Sequence, residues 1–316
     1  MGNSPFPTKL KDFGYEFKDG SLKDIKTGGG FEFNVSKDAE YNQARYEALG
    51  EVITEEVYAL LESEAGLQRL PVPANAADGE PTTFVFASAD YRTADKLLLL
   101  VHGSGVVRAG QWARRLIINN GVKEGTQLPY IERALSAGYG VLVLNTNDNR
   151  RVTGERKQFI RDSGTPEQHA LTVWDTYVRG AAATDVAIVA HSYGGVVTLN
   201  LAVRRWEEVQ KRVSAVALTD SVHSMGGARC GPEVQKWLAE CAVNWVTSSS
   251  PLDTELARPT GDACRRSAGH KQHEWTSWSC IDAVFPFLEQ RLQQRRKAAA
   301  PATPTENQGG DDEKKQ

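Results

Sequence analysis

From about residue 67 onward, short and continuous hydrophobic runs alternate with polar segments that carry helix signals. Six of these runs predict β-strands, at 83–88, 96–101, 140–144, 185–190, 213–218 and 243–247. Because several runs are continuous rather than alternating, we expect helices to cover both faces of the sheet. The pattern predicts an α/β fold with a doubly wound, mostly parallel sheet in a three-layer sandwich.

The segment before residue 67 follows a different pattern. Residues 13–17 and 31–33 alternate aromatic with other residues, and Lys18-Asp19-Gly20 reads as a turn, which together predict a β-ribbon. Apolar residues then recur at steps of three and four, which predicts an amphipathic helix. These positions are Tyr46, Leu49, Val52, Ile53, Val57, Leu60 and Leu61.

Four regions follow from these patterns. We expect a disordered N-terminus at 1–12, a ribbon and helix at 13–66 packed on the main domain, and an α/β domain at 67–296. Residues 297–316 contain no large apolar side chain, so we expect disorder there.

Within the main domain, Thr165 before Pro166 and Gln168 predicts a capped helix start. Residues 147–161 are charged and rich in Asn, which favours a loop.

Composition and charge argue against a protein that binds nucleic acid, a membrane surface or a metal directly. The chain has 316 residues, 40 % of them hydrophobic, and a net charge of −3 from 37 basic and 40 acidic residues. This balance supplies no global field for nucleic acid or a membrane surface, so we expect neither as a direct partner. The four cysteines lack metal-binding spacing, so we predict buried thiols and no metal. With no secretory signal at the N-terminus, a reducing intracellular compartment is expected.

The most informative motif surrounds Ser192. The predicted strand at 185–190 leads directly into this serine, and a segment compatible with a helix follows. Ala190 and Gly194 are small residues two positions before and after it, as the sharp turn of a nucleophile elbow requires. The pattern predicts a serine nucleophile. The alternative is a strand-to-helix turn that carries no chemistry.

A second motif supports a hydrolytic site. Residues 102–105 read His-Gly-Ser-Gly directly after the strand at 96–101. Such a loop, with Gly103, Ser104 and Gly105, supplies one backbone donor of an oxyanion hole, and the N–H of Tyr193 supplies the other. The alternative is a phosphate-binding loop, although the Walker lysine and the G-x-G-x-x-G spacing are both missing.

A serine nucleophile needs a histidine base that follows it in the chain. His273 lies after the last predicted strand and before the terminal helix, where the base belongs, and we favour it. His270 is three residues away and is the alternative. His223 comes early for this order, so we expect it to line or cap the site.

The orienting acid has two candidates, each following a predicted strand. The usual place after the penultimate strand favours Asp253, and Asp220 is the alternative. Either aspartate could instead cap a helix. The resulting hypothesis is a serine hydrolase that needs no cofactor and acts on a small acyl substrate, an ester, thioester or amide.

Several stretches of the chain also resemble one known family, the Argonaute-binding-type cotranscriptional regulators, also called family with sequence similarity 172. The resemblance spans roughly residues 10–290 and is carried by residues 45–50, 98–119, 190–195, 217–223, 244–254 and 267–278. It implies an α/β-hydrolase-like fold with the nucleophile position at Ser192.

The resemblance further implies a role as an adaptor in alternative splicing, in the nucleus and the cytoplasm. Its implied partners are Argonaute, a chromatin remodeller and spliceosomal proteins. Two hypotheses therefore stand side by side, an adaptor built on a hydrolase fold and an active serine hydrolase.

Overall fold

A nine-stranded sheet runs through the centre of the computed structural model, which describes residues 5–153, 156–225 and 230–299. Six neighbouring strands in the middle of the sheet are parallel, while the other three, two at one edge and one at the other, run antiparallel to their neighbours. In spatial order the strands are β12 (Glu255–Leu256), β13 (Cys264–Ser267), β11 (Ala242–Val246), β10 (Val213–Thr219), β9 (Asp185–His191), β5 (Lys96–Val101), β6 (Gly140–Val143), β4 (Thr83–Ala87) and β3 (Gln68–Val72). All six predicted strands are present, which confirms the α/β class.

Helices cover both faces of this sheet. They are α1 (Ala39–Ser63), α2 (Arg114–Asn119), α3 (Val122–Gly125), α4 (Leu128–Ser136), α5 (Pro166–Val173), α6 (Gly194–Arg204), α7 (Trp206–Arg212), α8 (Pro232–Cys241), α9 (Thr276–Ser279) and α10 (Ile281–Ala299). Helix α5 begins as predicted, with the Thr165 side chain accepting from the N–H of Gln168. The Gln168 side chain accepts in turn from Gly164, one residue earlier than a standard capping box.

Alternate residues of the central strands face opposite layers of helices. In β5, Leu98 and Leu100 pack in the core that includes α1 and α10. Leu97 and Leu99 pack in the other core, with side chains of α5 and α6. All four leucines are at most 2 % exposed. Burial on both faces of the sheet explains why the sequence of this strand is a continuous apolar run. The predicted three-layer sandwich is confirmed.

The winding of the sheet reverses beside β5. Strand β6 lies on one side of β5, and β9, the next parallel strand in the chain, lies on the other side. Open α/β sheets bind ligands at the carboxyl ends of their strands near such a reversal. The loops after β5 and β9, which begin at His102 and Ser192, therefore meet at one edge of the sheet.

The N-terminal ribbon and helix are present, with one difference from the prediction. Strands β1 (Tyr15–Lys18) and β2 (Ser21–Asp24) pair around Asp19 and Gly20, which both have positive φ and match a primed hairpin turn. Residues 31–33 are not a strand, because Phe31 instead packs as part of a loop between Tyr15 and Tyr46.

Three other expectations are corrected. Residues 147–161 contain an antiparallel pair, β7 (Arg150–Thr153) and β8 (Arg156–Phe159), rather than only a loop. Helix α10 continues to Ala299, so 297–299 are helical, while the expectations for 300–316 and 1–4 lie outside the described residues. Leu10 is buried and a short 3₁₀ turn covers Lys11–Phe13, so structure begins before residue 13.

A buried arginine joins α1 to the loop after β5. Arg114, at the start of α2, is 4 % exposed and donates to Glu51 and to the carbonyl of Val106 at 3.0 and 3.1 Å. Its guanidinium lies against Gly50 in the middle of α1, where an added Cβ would come within 2.4–2.8 Å of three Arg114 atoms. Glycine at position 50 thus makes room for the arginine.

We expect Gly50→Ala to lower the free energy of unfolding by about 1–3 kcal/mol, because the new methyl group overpacks against Arg114. In an unobstructed helix the same change would stabilise by about 1 kcal/mol. Urea denaturation measures the sign. Ala44→Gly, on the exposed side of α1, reports the ordinary propensity difference, and a stabilised Gly50→Ala variant would contradict the packing argument.

Candidate active site

Ser192 lies in a strained turn between β9 and α6. Its φ is +52°, in the left-handed region that non-glycine residues rarely adopt. The turn is fixed on both sides, since the Ser192 N–H donates to Thr219 O and the Ser192 carbonyl accepts from the N–H of Gly195. A Cβ on Gly194 would lie 2.5 Å from the carbonyl oxygen of Val101, so the position has no room for a side chain. This strand, turn and helix form a nucleophile elbow.

The loop after β5 lies directly beside this elbow. An added Cβ on Gly103 would be 3.1 Å from the Cβ of Ser192, so the two backbones are adjacent. The Asn147 side chain braces the loop by donating to the carbonyls of Gly103 and Val107 at 2.9 and 3.1 Å. Ser104 and Gly105 are exposed, and Gly105 has a φ of +101°.

The Tyr193 side chain is held away from the elbow. Its hydroxyl donates to Glu167 of α5 at 2.6 Å, and this hydrogen bond, with burial, raises the pKa of Tyr193 to about 12. The phenol therefore stays protonated, and the backbone N–H remains the part of Tyr193 suited to bind an oxyanion.

A histidine and an aspartate complete the arrangement. His273 Nδ1 lies 2.7 Å from Asp220 Oδ2. Because a carboxylate can only accept, Nδ1 carries the proton and Nε2 is left as the base. The hydrogen bond to Asp220 raises the pKa of His273 despite partial burial. Burial favours the neutral form of Asp220, but His273 and the Thr247 N–H outweigh it and lower the pKa of that carboxyl.

The structure pairs His273 with Asp220 rather than with Asp253, the aspartate that the sequence favoured. Asp253 instead accepts from the indole N–H of Trp245 at 2.9 Å and from Arg266 at 2.7 Å. Asp220 follows β10, the neighbour of β9 in the sheet, so it starts beside the elbow. Asp253 follows β11, one strand further away, and is tied to β13 through Arg266.

The two other candidate histidines do not pair with Asp220. The His270 ring stacks on Trp275 with centroids 5.1 Å apart, and its Nδ1 accepts from the N–H of Gln272. His223 contacts Ser221 and Asp262 rather than Asp220. The structure therefore brings Ser192, Gly103, Asp220 and His273 to one edge of the sheet, and it leaves Asp253 and His270 out.

Sequence reasoning missed two buried histidines at this edge. The rings of His191 and His273 lie 4.7 Å apart, and His191 Nδ1 donates to the carbonyl of Thr219 at 2.9 Å. Burial and the charge on His273 lower the pKa of His191 to about 4. Burial likewise lowers the pKa of His102 to about 4, with its Nδ1 donating to Gly103 O. Their positions next to Ser192 and Gly103 in the sequence were the available signal.

The Ser192 hydroxyl is not hydrogen-bonded to His273 in the described part of the chain. Within residues 5–153, 156–225 and 230–299, its side-chain oxygen makes no hydrogen bond, so the pairing of His273 with Asp220 does not extend to the serine. Such bonds often tighten only when substrate binds. The turn that carries His273 is held by Arg115 of α2, whose Nε donates to Glu274 at 2.8 Å.

Residues 5–153, 156–225 and 230–299 contain neither a membrane-spanning helix nor a cluster of metal ligands. No helix there combines the length and apolar character that crossing a bilayer requires. Three or more His, Cys, Asp or Glu side chains do not come together there in a way that would hold a metal ion.

The elbow, the glycine loop and the His–Asp pair on a mostly parallel sheet define an α/β-hydrolase-like protein. A family model for the Arb2 domain matches residues 6–252. The cotranscriptional regulator ARB2A of Homo sapiens is 41 % identical over 94 % of this chain and 84 % of its own length. A FAM172 family protein homolog of Caenorhabditis elegans is 39 % identical over 90 % and 88 %. The chain belongs to the Arb2 domain family, which confirms the resemblance.

Solved structures with this architecture are more distant in sequence. The histone deacetylase Clr3 matches 78 % of this chain and 39 % of its own, with a TM-score of 0.51 at 17 % identity. A histone deacetylase from Saccharomyces cerevisiae matches 77 % of this chain and 98 % of its own, with a TM-score of 0.50 at 12 % identity. At such identities the likeness concerns the fold alone.

We expect Asp220→Asn to lower the pKa of His273, because the carboxylate that holds the imidazolium is lost while burial remains. Proton NMR titration of the histidine ring measures it. Asp253→Asn is the matched control and should leave His273 unchanged. An unaltered titration in Asp220→Asn would contradict the pairing.

The sign of the pH dependence follows from the same pair. The folded pKa of His273 lies above its ordinary value of 6.5, so this pairing stabilises the fold below that pH. The contribution is lost as the pH rises through the folded pKa.

Proposed function

We propose that this protein is a cotranscriptional adaptor, active in the nucleus and present in the cytoplasm, that binds protein partners on an α/β-hydrolase-like scaffold. The observation that carries this proposal is its 41 % identity, over 94 % of the chain, to a protein named as a cotranscriptional regulator. The proposed partners, taken from the family resemblance, are Argonaute, chromatin remodelling proteins and spliceosomal proteins. The net charge of −3 fits binding through proteins rather than directly to nucleic acid.

We expect the tagged protein to recover Argonaute and spliceosomal proteins from nuclear extract after nuclease treatment. The recovery should be unchanged in Ser192→Ala, because an adaptor binds through its surface and the serine hydroxyl makes no hydrogen bond within the described ranges. Quantitative immunoblotting provides the measurement. If Ser192→Ala abolished recovery while circular dichroism showed an intact fold, a purely adaptor role would be excluded.

A second function is proposed on a specific observation, the 2.7 Å hydrogen bond between His273 and Asp220 beside the Ser192 elbow. In this proposal Ser192 Oγ attacks the acyl carbon of a small ester, thioester or amide, and its proton passes to His273 Nε2. Asp220 stabilises the imidazolium, and the N–H groups of Gly103 and Tyr193 hold the oxyanion. Each such donor is worth about 2.7–4 kcal/mol in the transition state.

His273 then gives its proton to the leaving group, and water releases the acyl group by the same steps in reverse. No cofactor takes part in this cycle, because the serine, the imidazole and the carboxylate supply the nucleophile and move the proton. Ser104 and Gly105, which are exposed, form the outer part of the oxyanion loop.

For this activity we expect a fluorophosphonate probe to label Ser192, on the tryptic peptide 180–204, with mass spectrometry as the readout. Asp220→Asn should slow labelling by about 10⁴-fold if the pair behaves as in serine proteases, and Asp253→Asn should not. Equal effects of the two substitutions, or no adduct on folded protein, would exclude Ser192 as an activated nucleophile.

A further inference from the structure

A second chain of serine, histidine and aspartate lies next to the elbow. Ser221 Oγ is 2.7 Å from His223 Nδ1, and His223 Nε2 is 2.8 Å from Asp262 Oδ1. The imidazole side chain is only 3 % exposed and that of Asp262 is 15 % exposed. These residues join the loop after β10 to the loop before β13, and none of them takes part in the arrangement at Ser192.

The direction of these hydrogen bonds follows from the acceptor at one end. Burial favours a neutral Asp262, but the hydrogen bond and charge of His223, the N–H of Ala263 and the charge of Arg265 together outweigh it and lower the pKa of Asp262. The carboxylate accepts from Nε2–H and also from the N–H of Ala263 at 2.7 Å. Nδ1 is therefore the lone-pair nitrogen, and it accepts from the Ser221 hydroxyl. This orientation lets the imidazole take the serine proton.

Another serine and histidine in the chain show what the opposite tautomer looks like. Ser163 Oγ lies 2.8 Å from His169 Nδ1, but His169 Nε2 accepts from the backbone N–H of Asn145. The proton must then lie on Nδ1, which donates to Ser163 and cannot accept its proton. Both side chains are fully buried. Ser163 is thus a matched control within the same molecule.

The position of Ser221 brings it into the same crevice as Ser192. A Cβ on Gly195 would lie 1.8 Å from Ser221 Oγ, so the hydroxyl sits over the first turn of α6. The next residue, Val222, donates its N–H to the carbonyl of Ser192 at 3.3 Å and is 57 % exposed. The start of α6 favours negative charge nearby, as the oxyanion of a tetrahedral intermediate requires.

We propose that Ser221 is a second nucleophile of this protein, activated by His223 and positioned by Asp262, that accepts the acyl group of small esters. Ser221 Oγ forms a bond to the carbonyl carbon while its proton passes to His223 Nδ1. The ester C–O bond breaks, and the alkoxide takes that proton and leaves as the alcohol. Water then attacks the acyl-Ser221, again giving a proton to His223, and the carboxylic acid and free serine are released. Ser221 is only partly exposed, which restricts the substrate to short acyl groups.

The test uses the full chain with Ser192→Ala, so that the elbow serine contributes nothing. We expect p-nitrophenyl acetate to acetylate, and a fluorophosphonate probe to label, Ser221 on the tryptic peptide 213–229, with fragmentation placing the adduct. Ser221→Ala in the same background should remove the adduct. Asp262→Asn should slow it by about 10²–10⁴-fold, and Asp262→Glu should restore part of the rate. Ser163 should stay unmodified throughout.

A purely structural role for these residues gives different results. Asp262 would then affect thermal stability but not the labelling rate. If Ser221 stays unmodified in folded Ser192→Ala protein while the probe labels a serine hydrolase in the same tube, the proposal is overturned. Equal labelling with and without the Asp262 carboxylate also overturns it. Ser192 labelling in the unaltered chain is a separate outcome, because its peptide differs.

Discussion

The contact between the first turn of α6 and the end of β5 is the constraint on which this edge of the molecule depends. Gly194 lies so close to the carbonyl of Val101 that a side chain there is excluded. Because the two backbones touch, Ser192 and Gly103 become neighbours although 88 residues separate them in the chain. The adjacent Gly195 admits Ser221 in the same way. Because Gly194 and Gly195 have no side chain, the loops after β5, β9 and β10 can approach one another in one crevice.

The histidines around this crevice show how environment divides one residue type into different roles. Within residues 5–153, 156–225 and 230–299, the buried His102, His169 and His191 have no carboxylate partner, and their lowered pKa values keep them neutral. His273 has Asp220 as its partner, and its pKa is raised. Desolvation penalises the charged form, and a paired carboxylate compensates for that penalty. A charged imidazole at this edge is therefore expected at His273 rather than at its buried neighbours.

Much of the fold could be predicted from the sequence, because the decisive signals were local. Several of the six central strands are continuous apolar runs, and Thr165 caps α5 through a contact three residues away. Strand β13 was missed because its residues, Cys-Arg-Arg-Ser, lie near the sheet edge and lack an apolar run. The choice between Asp220 and Asp253 depends on which strand neighbours β9, and strand order is a long-range property. The bond of His223 to Asp262 spans 39 residues and follows no local pattern.

Consecutive arginines of α2 have an architectural consequence for the crevice. Arg114 is anchored to α1 through Glu51, whereas Arg115 is anchored to the turn of His273 through Glu274. One short helix therefore couples the N-terminal layer to the position of the imidazole. The spacing between that imidazole and the serine is a property of the whole outer layer rather than of a single loop.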